Sequence, residues 1–169
     1  MNARPTTAKR VFALDPYSRG FGFVVCEGPE HVIDWGLKEA RREKDTRCLR
    51  HVEQLIETYH PDIFVIEATH DPQCRRCPRV RELLHKMSQL AAEKKLKTRS
   101  FSRRAVQATF SEVSPVTKYE MANRIVERLP ELTPWRPPFR KPWMSEHSRA
   151  SIFDAAALAL TYFYGLTKV

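Results

Sequence analysis

The chain has 169 residues, 42% of them hydrophobic, and this length is typical of one globular domain with a sizeable core. Its 29 Lys and Arg against 20 Asp and Glu give a formal net charge of +9, and a field of that sign favours a polyanionic partner such as nucleic acid. The sequence contains no long uncharged apolar run, so we expect no transmembrane helix and no membrane partner. The polar N-terminal arm lacks the apolar segment of a secretory signal, so we expect a cytoplasmic protein without a disulfide scaffold.

The first half of the chain predicts an antiparallel meander, then a helix, then a buried strand. Turn residues separate three predicted strands, Arg10–Asp15, Phe21–Glu27 and His31–Leu37. Apolar residues at helical spacing predict a helix over Asp45–Tyr59, with Asp45 or Thr46 as its N-cap. Asp62–Glu67 is a nearly continuous apolar run that ends in a carboxylate. Such a run is typical of a parallel strand that is buried on both faces of a sheet.

The second half predicts helices that alternate with one more strand. The predicted elements are a helix over Arg79–Glu93, a strand over Leu96–Phe101, a short helix from Ser102 to Phe110, a helix opened by the capping box Thr117–Glu120 and a final helix over Ser148–Tyr164. Residues 132–145 are rich in proline and are predicted to form an extended loop. This order predicts a single α/β domain over residues 10–169, with a mixed five-stranded sheet, helices on both faces and a flexible basic arm at residues 1–9.

Three acidic residues stand in apolar surroundings, where a merely solvated charge is unusual. Asp15 ends the first strand, Glu67 ends the fourth, and Asp154 lies among the alanines of the final helix. If the two strands are parallel neighbours, Asp15 and Glu67 meet at the edge where open α/β sheets bind ligands. Neighbouring buried carboxylates repel each other, and a divalent cation such as Mg²⁺ removes that cost. Two such ions also suit the hydrolysis of a phosphodiester bond.

Four segments, in order along the chain, resemble the RuvC-type Holliday-junction resolvases of the ribonuclease H-like superfamily. Leu14–Phe23 is similar to the family's first strand ending in Asp-Pro-Gly-Ser and its returning Gly-Tyr-Gly strand. Pro61–Glu67 resembles a Pro-Asp-x-x-x-Ile-Glu strand, and Ser102–Lys118 resembles the segment that leads to a lysine before the penultimate helix. Asp154–Ala157 resembles the terminal Asp-Ala-x-Ala helix.

The resemblance implies a ribonuclease H-like fold and cleavage of branched DNA by a homodimer with two Mg²⁺ or Mn²⁺ ions per site. By position, Asp15, Glu67 and Asp154 would be metal ligands, and Lys118 would contact the scissile phosphate.

One position departs from the family pattern. Ser151 stands one turn before Asp154, where RuvC enzymes usually carry an acid or a histidine, and a hydroxyl is a poor Mg²⁺ ligand by comparison. The nearest replacements are Glu146 and His147. Because His147 lies seven residues before Asp154, it can join the catalytic group only if the helix begins after it.

A Cys/His cluster follows Glu67. The cluster combines His70, Cys74 and Cys77 with Cys48 and His51 of the first helix. The antiparallel course of that helix relative to the fourth strand would bring the two groups together, which suits a structural Zn²⁺ site. Free thiols in a basic loop are the alternative.

Arginine and lysine residues cluster near the predicted site. The candidate nucleic-acid contacts are Arg75, Arg76, Arg79, Arg103, Arg104, Lys118 and Arg140. In the RuvC arrangement the loop after the fourth strand, with its arginines, faces the centre of the junction. The proline-rich segment (residues 132–145) interleaves aromatic and cationic side chains, which suits either base stacking with phosphate contact or docking onto the protein's own surface.

Three functions are consistent with these features. The first is a structure-selective DNA endonuclease that acts in recombination and repair. The second keeps the fold and changes the substrate to RNA, as in the YqgF-type relatives. The third is a nucleic-acid-binding module that has lost catalysis through the change at Ser151.

Overall fold

The sheet has five strands in the spatial order β3-β2-β1-β4-β5 in the computed structural model, which describes residues 8–111 and 113–165. The strands are β1 (Arg10–Tyr17), β2 (Gly20–Glu27), β3 (Val32–Glu39), β4 (Ile63–Glu67) and β5 (Lys97–Phe101). β1, β2 and β3 are antiparallel neighbours, whereas β4 is parallel to β1 and β5 is parallel to β4. The predicted mixed sheet is confirmed. Most of the predicted basic arm, residues 1–7, lies outside the described residues, as do residues 166–169 of the predicted domain.

Five α-helices in the described part of the chain surround the sheet. They are α1 (Lys44–Tyr59), α2 (Pro78–Glu93), α3 (Arg103–Phe110), α4 (Lys118–Arg128) and α5 (Ala150–Gly165). The capping box that opens α4 is present, since Thr117 and Glu120 exchange side-chain-to-backbone hydrogen bonds. The predicted N-cap of α1 was wrong: Glu43 occupies that position in a left-handed conformation with φ 47° and makes no side-chain cap. Asp45 instead lies in the first turn, where its charge suits the helix dipole.

Several boundaries differ from the sequence-based expectation. β1 was expected to end at Asp15 but continues to Tyr17. The proline-rich segment is not entirely a loop, because Pro130–Trp135 forms a 3-10 helix before the chain becomes irregular. α5 begins at Ala150 rather than Ser148, so the helix begins after His147, which was the condition for His147 to join the catalytic group. Among the described residues, no helix is long and apolar enough to span a membrane.

Both faces of the sheet are covered. Successive residues of β1 point to opposite sides, so Val11 and Ala13 pack beneath α4 and α5 while Phe12 and Leu14 pack beneath α1 and α2. β4 is buried on both faces, as its continuous apolar sequence predicted. The two cores fix the positions of β1 and β4, which carry Asp15 and Glu67.

α5 lies unusually close to the sheet near Asp15. A Cβ added at Gly22 would lie 2.4 Å from the carbonyl carbon of Ser151, so only glycine permits this approach. Gly22 is also the antiparallel partner of Asp15 in β2. This contact brings the first turns of α5, and with them Asp154, to the edge of the sheet that carries Asp15.

Candidate active site

Three elements deliver Asp15, Glu67 and Asp154 to one cavity of about 140 Å³. Ala13 of β1 is paired with Val65 of β4, so Asp15 and Glu67, each two residues further on, lie at the same level of two parallel strands. Both carboxylates are nearly buried, and Asp154 enters the cavity from α5. The sequence-based expectation that these acids share one edge of the sheet agrees with this placement. We refer to this space as the carboxylate cavity.

Arg76 lies between two of the acids. Its Nε donates to Glu67 Oε2 at 2.5 Å, one Nη donates to Asp15 Oδ1, and the other donates to the carbonyl of Pro16 at 3.0 Å. Its own carbonyl accepts a hydrogen bond of 3.0 Å from Arg81 Nε, which ties the loop after β4 to the first turn of α2. The sequence suggested Arg76 as a nucleic-acid contact, but here the guanidinium neutralises the carboxylates of Asp15 and Glu67.

Lys118, at the start of α4, binds both Asp154 and a fourth acid, Glu146. Its Nζ donates to Asp154 Oδ2 at 2.9 Å and to Glu146 Oε1 at 2.5 Å. Glu146 is therefore close to the cavity although it precedes α5 by four residues. Of the two replacements considered for the family acid at position 151, Glu146 is the one that shares a partner with Asp154.

His147 has a different place. Its side chain is exposed, and its Nδ1 accepts a hydrogen bond of 3.1 Å from the backbone N–H of Arg149 in the turn that precedes α5. This contact gives the imidazole a structural role at the entrance to the helix. No contact with the three cavity acids is seen for His147 among the described residues.

Ser151 orients Asp15. Its Oγ accepts a hydrogen bond of 3.1 Å from the backbone N–H of Gly22 and lies 2.5 Å from the carbonyl oxygen and 2.9 Å from Oδ2 of Asp15, to one of which it donates. The hydroxyl is thus engaged by β1 and β2 rather than directed at the cavity as a ligand. The sequence marked Ser151 only as a departure from a family pattern and gave no sign of this role.

The carboxylates perturb one another. Burial, and then the charge of Asp154, raise the pKa of Asp15 to about 7, while Arg76, Ser151 and Lys118 act in the opposite direction. Burial likewise raises the pKa of Asp154, against the lowering effect of Lys118. For Arg76, burial would lower the pKa, but the charges of Asp15 and Glu67 outweigh it and raise the pKa instead. The cavity therefore brings together carboxylates whose charges are offset by Arg76 and Lys118.

The donor set fits Mg²⁺ or Mn²⁺ in its chemistry. Carboxylate oxygens are hard ligands, and a divalent cation would offset both the burial and the neighbouring charge of Asp154 that raise the pKa of Asp15. As the side chains lie, however, no three His, Cys, Asp or Glu groups among the described residues converge on one point that could hold a metal ion. The guanidinium of Arg76 and the ammonium of Lys118 separate the acids. A metal between Asp15 and Glu67 would have to replace Arg76.

The predicted Zn²⁺ ligands do not come together in the described part of the chain. Cys48 is buried in the apolar core beneath α1 and α2, while Cys77 is exposed at the N-cap position of α2. Cys74 is partly buried in a turn in which its N–H donates to the carbonyl of Asp71. The thiols are free in this arrangement. Cys48 packs as an apolar side chain in the core, so it does not face the loop that carries Cys74 and Cys77.

Arginines flank the carboxylate cavity. Arg75, Arg103 and Arg104 line an adjacent cavity of about 730 Å³ that also reaches Glu67. Arg79 is turned away and pairs with Asp45 at 3.4 Å. On the opposite side, Arg140 lies in the proline-rich segment, where it donates to the carbonyl of Met144 at 3.1 Å. Positive charge therefore borders the acids from two directions.

Comparison with known proteins identifies the fold. No family model matches the sequence, and no curated protein matches it either. Among solved structures, the chain is similar to Thermus thermophilus RuvC, with a TM-score of 0.67 and 17% identity over 94% of this chain and 96% of that chain. The same protein in complex with a Holliday junction substrate gives a TM-score of 0.66 and 15% identity over 94% of this chain and 96% of that chain. The yeast mitochondrial Holliday junction resolvase Ydc2 gives a TM-score of 0.60 and 12% identity over 92% of this chain and 78% of that chain. The chain has the RuvC-like, ribonuclease H-like fold.

Proposed function

We propose that the protein is a metal-dependent, structure-selective endonuclease that hydrolyses phosphodiester bonds in branched DNA. The observation that carries this proposal is the delivery of Asp15, Glu67 and Asp154 to one cavity by β1, β4 and α5. The similarity to resolvases, including one solved with a Holliday junction substrate, supports branched DNA as the substrate. A homodimer, as the family resemblance implies, is part of the same proposal.

The acids would hold the metal ions. Asp15 and Glu67, at the same level of adjacent strands, would hold metal together with Asp154, and Glu146 would join them through its place beside Lys118 and Asp154. When bound, Mg²⁺ or Mn²⁺ supplies an activated water and stabilises the leaving oxygen. Glu146 would then supply the fourth carboxylate that Ser151 does not.

The cationic side chains would exchange partners when DNA binds. Arg76 and Lys118 now neutralise the cavity acids, and a scissile phosphate would offer both of them an equivalent anionic partner. Arg76 would leave Asp15 and Glu67, and Lys118 would bind the phosphate from the side of α4. Ser151 would keep the Asp15 carboxylate oriented throughout, because its hydrogen bonds link β1, β2 and α5 and do not involve the cavity cations.

One alternative has an observation in its favour. A nucleic-acid-binding module without catalysis would retain the flanking arginines and would keep its acids permanently paired with Arg76 and Lys118. Ser151 at the family's acid position is consistent with that alternative. It predicts salt-sensitive DNA binding with no turnover in any divalent metal.

The experiment is a cleavage assay on a matched set of substrates. A four-way DNA junction, linear duplex DNA of the same sequence and a structured RNA are incubated with the protein in Mg²⁺, in Mn²⁺ and in EDTA. We expect metal-dependent cleavage of the junction in preference to the duplex. Preferential cleavage of RNA would support the YqgF-like alternative, and binding without any cleavage would support the binding module.

A further inference from the structure

A second, larger space adjoins the carboxylate cavity. It has a volume of about 690 Å³ and is lined mainly by the proline-rich segment and the first turns of α4 and α5. Lys118 and Asp154 line both spaces, so the two are adjacent. The volume lies within the range of about 300–1,000 Å³ in which ligand pockets are usually found. We refer to it as the loop cavity.

The lining of the loop cavity combines flat apolar surfaces with cations. Phe139 is 63% exposed and is held by an edge-to-face contact with Tyr119, with ring centroids 5.3 Å apart. Pro137 and Pro138 precede it and limit the freedom of the backbone on which it stands. Arg19 and Arg140 add positive charge to the lining. An exposed aromatic ring on a stiff backbone is a suitable platform for stacking.

The chemistry of this surface favours a nucleotide. Apolar side chains alone would suit many partners, but Arg19, Arg140 and Lys118 also line this space, in a chain with a net charge of +9. Glu146 and Asp154, which also line it, are both paired with Lys118. A ring of the same segment already pairs with a cation, because the guanidinium of Arg149 lies over Trp135 at 5.3 Å. Stacking on aromatic rings together with contact to phosphates is the way in which proteins bind unpaired bases.

We propose that the loop cavity binds an unpaired base of the DNA strand next to the phosphate held in the carboxylate cavity, with Phe139 as the stacking surface. This inference rests on the proposed nuclease function and extends it, because it assigns a specificity-determining contact. Branched DNA suits such a pocket, since a base that is already unstacked costs least to insert. Arg140 and Lys118 would contact the phosphates on either side of that base.

The test combines removal of the base with removal of the ring. Abasic nucleotides are placed one at a time around the branch point of a four-way junction, and dissociation constants are measured in EDTA, so that binding is separated from cleavage. The proteins are the wild type, Phe139→Ala, Phe139→Tyr and Trp143→Ala. Trp143 is the matched control because it is 78% exposed in the same segment but lies outside the cavity lining, as far as the described residues define it. Thermal unfolding of each variant shows that it is folded.

The expected result is non-additivity at one or two positions. There, loss of the base weakens binding by the wild type about 10-fold, and Phe139→Ala weakens binding of the intact junction by a similar factor. Phe139→Ala should then bind the abasic junction with the same affinity as the intact junction. Phe139→Tyr and Trp143→Ala behave as the wild type.

Three results would overturn the inference: additive losses, a Phe139→Ala variant that binds like the wild type, or a Trp143→Ala variant that reproduces its defect. These results leave the nuclease proposal intact if the wild type still cleaves the junction. Absence of cleavage with the expected non-additive binding would overturn the nuclease proposal and support the pocket. A wild type that binds no junction would overturn both.

Discussion

Arg76 donates a hydrogen bond to Asp15 across 61 positions of sequence, and the same guanidinium also binds Glu67. The loop after β4 therefore returns over the strand ends and places its own cation where the proposed metal would bind. Arg76 is only 21% exposed in this position, so the ion pairs are partly shielded from solvent. This arrangement links the metal affinity of the site to the position of one side chain.

Replacement of Arg76 by glutamine should strengthen metal binding by about 10-fold. The metal would no longer have to displace a guanidinium whose charge-assisted hydrogen bonds contribute about 1.5–3 kcal/mol each. Arg79→Gln is the matched control, because it removes the same charge from the start of α2 but pairs with Asp45 outside the site. Calorimetric titration with Mn²⁺ measures both variants. An unchanged or weaker affinity of Arg76→Gln relative to Arg79→Gln would show that Arg76 does not compete with the metal.

Asp15→Asn should change how the stability of the metal-free protein depends on pH. The pKa of Asp15 is raised from 3.8 to about 7, first by burial and then by the charge of Asp154. The folded protein therefore retains a proton that the unfolded chain has released, and the free energy of unfolding falls as pH rises through that window. Because asparagine does not titrate, the variant should lose less stability between pH 5 and pH 8 than the wild type.

Denaturant unfolding in EDTA at pH 5 and pH 8 measures this difference. Glu39→Gln is a suitable control, since Glu39 is an exposed acid of β3 that contacts Tyr17 and Arg19 rather than the cavity. An identical pH dependence for Asp15→Asn and the wild type would mean that the pKa of Asp15 is not raised in the folded protein.

Ser151→Ala should reduce both stability and cleavage. The change leaves the N–H of Gly22 and one oxygen of Asp15 without their buried partner, which costs about 1–3 kcal/mol. Thr161→Val in the same helix removes a buried hydroxyl that donates to the carbonyl of Ala157, and the described lining of the carboxylate cavity does not include Thr161. We expect a smaller stability loss and wild-type cleavage for Thr161→Val. Equal cleavage by the two variants, after correction for the folded fraction, would show that Ser151 does not position Asp15 for cleavage.

The cysteines should differ in their rates of alkylation. Cys77 is exposed and Cys74 is partly buried, so both should react with iodoacetamide in the native protein. Burial raises the pKa of Cys26 to about 12 and also raises that of Cys48, so both should react only on unfolding. Mass spectrometry of partially labelled protein gives the order. If Cys74 and Cys77 were protected until a chelator was added, they would bind Zn²⁺ after all.

Much of the fold could be predicted because hydrophobic periodicity reports burial directly. The continuous apolar run before Glu67 indicated a strand buried on both faces, and β4 has that position. Asp15 and Glu67 were predictable as neighbours because parallel strands end at one edge of a sheet. Caps were less predictable: α1 begins after a left-handed Glu43, a conformation that spacing does not reveal.

The contacts made by loops could not be predicted. Among several arginines after Glu67, nothing in the sequence distinguishes Arg76, which binds the acids, from Arg79, which pairs with Asp45. The role of Ser151 depends on how closely α5 approaches Gly22, and the Zn²⁺ hypothesis required Cys48 to face a loop when it faces the core. Each of these outcomes is decided by packing between segments distant in sequence.

The most direct test of the central claim is single-turnover cleavage of a four-way junction in Mn²⁺ by the wild type and by Asp15→Asn at equal DNA occupancy. We expect cleavage by the wild type, none in EDTA, and a loss of at least about 100-fold in rate for Asp15→Asn with junction binding retained. Wild-type rates in Asp15→Asn, or cleavage by the wild type in EDTA, would contradict the assignment of Asp15 as a ligand of a catalytic metal.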